Sequence, residues 1–163
     1  MKTIYLVRHG KSSWQHPGQK DHERPLLEAG IERTKKVVAF LLAKGVKPEM
    51  IISSDAVRAL ETARLLAEGL GVSAEKIRQE REIYLGTEDN LLDLVFSLPD
   101  ETESVMLVGH NPVMTGFAQM LQARLADDLP TSAVVSITFF TDDWTRILLS
   151  KKQLNFIVFP RML

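Results

Sequence analysis

Three short apolar runs punctuate the chain in the same way. Ile4-Tyr5-Leu6-Val7, Met50-Ile51-Ile52 and Val105-Met106-Leu107-Val108 are apolar at consecutive rather than alternate positions, and rich in branched side chains. Runs of this kind read as strands buried on both faces. Each is followed by polar residues and then by a helical pattern. Over 27–44, Leu27, Ile31, Thr34, Val38, Leu41 and Leu42 recur on one face, and Gly45 marks the stop. Ser53, Ser54 and Asp55 are expected caps for a second helix carrying Val57, Leu60, Leu66 and Leu70 and ending at Gly71. Thr87 opens a third, with Leu91, Leu92, Val95 and Leu98, closed by Pro99. Asn111 as N-cap and Pro112 as first helical residue open a fourth, with Val113, Phe117, Met120 and Leu121 on its core side.

This alternation predicts one three-layer α/β/α domain over residues 1–163, with a mostly parallel, doubly wound sheet. Ile77 to Ile83 fits either a short strand or an extended connection. Beyond Pro130 the pattern changes: 133–140, 146–150 and 155–159 read as strands, with antiparallel members.

The polar residues that end the strands are not neutral punctuation. Arg8-His9-Gly10 ends the first, Arg58 lies just after the second, and His110 ends the third. In open α/β sheets the carboxyl edge is where ligands bind. Two arginines, two histidines and two helix N-termini at one edge suit a dianionic phosphoryl group: guanidinium forks bind its oxygens in pairs, and helix N-termini favour an anion. A histidine can attack phosphorus and carry it covalently, while cations stabilise the oxygens in flight.

Composition narrows the alternatives. A formal net charge of -1 offers no general affinity for nucleic acid. No apolar run reaches the ~18 residues of a membrane span. The absence of cysteine removes thiolate chemistry and fits a cytoplasmic location. His9, His16 and His22 lack a zinc spacing, so neither a metal nor another cofactor is expected. Gly10-Lys11-Ser12 imitates the end of a P-loop, but Tyr5 stands where that motif needs glycine.

Arg8-His9-Gly10 resembles the signature of the histidine phosphatase superfamily, and the resemblance continues through Lys11-Ser12-Ser13-Trp14-Gln15. It recurs at Arg24-Pro25-Leu26 with Gly30, at Ser53-Ser54 through Arg58-Ala59 to Thr62-Ala63, and at Gly109-His110-Asn111-Pro112. The compact chain and the Gly-His-Asn-Pro form are most similar to the SixA-type phosphohistidine phosphatases. The resemblance implies that His9 is the phosphate-accepting nucleophile and that Arg8, Arg58 and His110 form the phosphate pocket. Asn111 joins the substrate-binding set, as does Gln15, which stands where relatives often carry asparagine. Glu82, in Glu82-Ile83-Tyr84-Leu85-Gly86, resembles the segment that bears the general acid in the broader superfamily, a segment SixA-type members keep poorly. The implied partner is a phosphorylated protein or a small phosphorylated substrate. Mutase-type relatives place long insertions between the segments of Arg58 and His110, where one short helix is expected here. A small-molecule phosphomonoesterase with the same chemistry and a non-catalytic phosphohistidine-binding domain are the alternative readings.

Overall fold

The computed structural model describes residues 1–14 and 17–163. Its centre is strand β1 (Lys2–Arg8), which pairs in parallel with β4 (Ser104–Gly109) on one side and antiparallel with β5 (Val134–Phe139) on the other. The mixed sheet continues outward through β2 (Met50–Ser53) to β3 (Ile77–Gln79) and through β5 to β6 (Lys152–Val158), in the order β3-β2-β4-β1-β5-β6. The doubly wound half is parallel as expected, and β5 and β6 supply the antiparallel members.

Helices cover both faces because the buried strands are apolar on both. Ile4, Leu6, Val105 and Leu107 point into one core with α4 (Glu88–Phe96) and α5 (Val113–Met120). Val7, Ile51, Met106 and Val108 point into the other, with α1 (Glu28–Ala43) and α2 (Val57–Leu70). Gly71 ends α2 at φ 71°, a left-handed position that glycine takes without a Cβ clash. Among the described residues, no helix is long and apolar enough to cross a membrane.

Several local expectations are corrected. Residues 146–150 are not a strand: Trp144–Arg146 form a 3-10 turn that seats Trp144 and Ile147 in the core, and Asp143 accepts from the Thr145 N–H at its start. The ambiguous stretch splits into β3 and a one-turn helix, α3 (Arg81–Leu85), so the interval from Arg58 to His110 holds β3, α3 and α4 rather than one short helix. Asn111 is not the N-cap of α5, because Pro112 takes that place; the Asn111 side chain instead reaches Thr115, accepting from its N–H at 3.1 Å. Ser53 and Asp55 do not cap α2, whose N-cap position is Ala56. Ser54 serves a different purpose, described below.

Candidate active site

The register of the sheet sets the geometry. Arg8 on β1 lies opposite Gly109 on β4, so the next residues, His9 and His110, leave adjacent strands side by side. Their ring centroids are 5.0 Å apart. The exit of β1 is held from both directions. The Gly10 N–H donates to Thr62 Oγ1 of α2, and the first turn of α1 packs on Lys11 so closely that a Cβ at Gly30 would lie 2.2 Å from the Lys11 carbonyl oxygen. Only glycine allows that approach.

His9 is buried, and its Nδ1 lies 2.7 Å from the Gly10 carbonyl oxygen. A carbonyl can only accept, so the proton sits on Nδ1 and the lone pair on Nε2. Arg58, also buried, directs Nε–H at that lone pair from 3.4 Å. Burial chiefly, with the charges of Arg58, Arg8 and Arg24 adding to it, outweighs the hydrogen bond to Gly10 and lowers the His9 pKa to about 4. The ring is therefore neutral at physiological pH, with an unprotonated nitrogen, Nε2, facing Arg58.

His110 is neutral for similar reasons. Burial, then the proximity of His9 and Arg58, brings its pKa to about 3. Its Nε2 is 2.7 Å from Ser54 Oγ, which already accepts from the Ala56 N–H. His110 Nε2 is also the one acceptor within reach of the Ser54 hydroxyl proton among the described residues, and giving it that proton leaves the imidazole proton on Nδ1. Among the described residues, His110 Nδ1 and Arg8 Nε are buried without a hydrogen-bond partner. Unanswered buried donors are costly, and a phosphoryl oxygen is the kind of acceptor that would answer them.

Asp21 was not singled out by sequence, yet it ties the site together. Its carboxylate accepts from Arg24 Nε at 3.0 Å, Arg58 Nη2 at 3.1 Å and Tyr84 Oη at 2.7 Å, while its carbonyl accepts from Arg58 Nη1 at 2.8 Å. Partial burial of the carboxylate works upward, but the Tyr84 hydroxyl and the arginines outweigh it and hold the pKa at about 2. Arg24 is buried and also donates to Ser12 Oγ and the Ser13 carbonyl, folding the loop back on itself. The spacing Asp21-x-x-Arg24 within a 3-10 turn was the available signal.

The remaining candidates fall differently. Arg8 sends Nη1 to the Leu129 carbonyl at 2.9 Å. Asn111 donates to the same carbonyl at 2.9 Å and accepts from the Thr115 N–H and hydroxyl, which occupies its oxygen and leaves one of its two amide N–H groups for a substrate. Glu82 is exposed, and its carboxylate makes no hydrogen bond or ion pair among the described residues; the residue that α3 presents to the site is Tyr84, whose ring stands edge-on to His110 at 5.4 Å. Gln15 lies outside the described residues. Among those residues, no three histidine, aspartate or glutamate side chains gather as a metal ion would need.

Comparison with known proteins places this arrangement. The family model of the histidine phosphatase superfamily (branch 1) matches residues 4–106. An uncharacterized chloroplastic protein of Arabidopsis thaliana is 29% identical over 152 residues, covering 88% of this chain and 69% of its own length. A protein described as a probable phosphoglycerate mutase, GpmB, from Yersinia pestis is 34% identical over 94 residues; the match covers 55% of this chain and only 42% of that protein. Among solved structures, a candidate phosphohistidine phosphatase SixA from Agrobacterium tumefaciens is 26% identical with a TM-score of 0.82, over 96% of this chain and 97% of that one. The protein histidine phosphatase SixA complexed with tungstate shares the fold at a TM-score of 0.83 and 20% identity, over 98% of each chain.

Proposed function

Because the chain belongs to the histidine phosphatase superfamily, branch 1, we propose that it is a phosphatase that works through a covalent phosphohistidine on His9. The observation that carries this reading is the neutral His9 ring, protonated on Nδ1 by its bond to Gly10, with the Nε2 lone pair facing Arg58. In the first step Nε2 bonds to phosphorus while the bond from phosphorus to the leaving group breaks. In the second, water displaces the phosphoryl group from His9, restoring the neutral ring and releasing inorganic phosphate. Arg8, Arg58 and His110 act on the equatorial oxygens during both transfers.

The substrate we infer is phosphohistidine borne by a protein. An alkoxide leaving group needs a proton from a general acid. Asp21, held at about 2, is almost entirely ionised at neutral pH, and the exposed Glu82 carboxylate makes no hydrogen bond or ion pair with the cluster among the described residues. A protonated phosphoimidazole leaves as a neutral ring without that help. The likeness to the Agrobacterium protein supports the same choice. The mutase match supports a second reading, hydrolysis or transfer on a small phosphomonoester. Comparing kcat/KM for a phosphohistidine protein with a panel of small phosphomonoesters tests the two. A markedly higher value for the protein substrate is expected, and a higher value for any small ester moves the assignment to the second reading.

A further inference from the structure

We propose that a cavity of about 780 Å³ beside the candidate active site is a second ligand site, for a small organic anion with an apolar body. It lies on the same edge of the sheet as His9, because β6 runs parallel to β1 and its carboxyl end delivers Ile157 and Phe159 to the cavity wall. Leu125 adds a further apolar surface. A volume of this size fits a ligand of ordinary cofactor or metabolite dimensions.

The charge of the lining is distinctive. Arg33, Lys36, Arg124 and Arg161 converge from α1, the loop after α5 and the turn after β6, against the carboxylates of Asp127 and Asp128. Among the described residues none of these four cations makes an ion pair, although Arg161 lies over the Phe159 ring at 6.0 Å. Unpaired cations around an apolar floor complement a carboxylate, sulfonate or phosphate on a hydrophobic body. The site is separate from the phosphoryl pocket but shares a wall with it. Leu129 lines the cavity, and its carbonyl accepts from both Arg8 and Asn111, while its N–H donates to Thr115.

Anilinonaphthalene sulfonate, an aromatic body with one anionic group, is a suitable probe. The folded chain should bind it saturably, with the accompanying rise in fluorescence. Saturating orthovanadate, which seeks the His9–Arg58 cluster, should leave that binding unchanged. The exposed pair Arg33→Glu with Arg161→Glu should weaken dye binding by about tenfold or more while leaving vanadate affinity within about twofold. Displacement of the dye by vanadate, or undiminished binding by the double variant, would overturn the proposal.

Discussion

Arg58 Nε stands 3.4 Å from His9 Nε2, while both Nη atoms of the same guanidinium are bonded to Asp21. The arginine is therefore clamped by the aspartate and presents one N–H to the histidine lone pair. The contact is long for a hydrogen bond. It disfavours protonation of Nε2 without binding the lone pair tightly.

If that nitrogen carries the phosphoryl group, His9→Ala should retain the fold and lose turnover by ~10³-fold or more. Acid-sensitive, base-stable label from a phosphorylated substrate should appear on the wild-type chain and not on the variant. Label retained in His9→Ala would move the nucleophile elsewhere.

Arg58 and Asp21 should show opposite effects on anion binding. Arg58→Ala removes a charged donor and should weaken vanadate by ~1.5–3 kcal/mol. Asp21→Asn removes a negative charge from the two arginines beside it and should tighten vanadate several-fold. Titration calorimetry of both variants checks the pair, and tighter binding to Arg58→Ala would mean the oxygens sit on other residues.

Acid should both destabilise the fold and slow the enzyme. The pKa values of His9 and His110 are lowered from 6.5 to about 4 and about 3 on folding. Between those values and 6.5 the unfolded chain binds more protons than the folded one, so stability rises with pH. It is fully present above about 6.5 and is lost as pH falls toward the folded values. Asp21 adds a loss of the same sign below its ordinary 3.8. Thermal melts at pH 7, 5.5 and 4.5 should fall in that order, and His110→Gln should shrink the drop. The acidic limb of kcat/KM should lie near pH 4; a limb near 6.5 would mean that His9 titrates as though solvated.

Gly30→Ala tests the seat of β1. The added methyl would approach the Lys11 carbonyl to 2.2 Å, and the obstructing atoms are backbone, so α1 must shift. The expected cost is ~1–3 kcal/mol, read as a Tm lower by several degrees. An unchanged melt would mean that α1 moves away freely.

The architecture was largely legible because its signals are local. Apolar runs mark β1, β2 and β4, and their common polar endings anticipate where His9, Arg58 and His110 come together. Asn111 and Thr87 mark helix starts to within a residue. What escaped depends on neighbours distant in sequence. Asp21 reads as one polar loop residue until Arg24, Arg58 and Tyr84 close around it, the last being 63 positions away. Ser54 reads as a cap, yet its hydroxyl lies 2.7 Å from the ring of His110, which leaves a different strand. The apolar character of 146–150 suggested a strand, but Ile147 is buried from a turn, which periodicity cannot distinguish from a strand over so few residues.

The pairing of Arg8 with Gly109 has a consequence for how such a chain diversifies. The spacing between the two histidines is fixed by one rung of a parallel ladder, with the strand-to-strand distance of ~4.8 Å common to all sheets. Segments that enter and leave the sheet elsewhere can lengthen, shorten or change composition without altering that rung. Insertions can therefore reshape what reaches the imidazoles while the interval between them stays constant, so selection on recognition and selection on reactivity act on separable parts of the molecule.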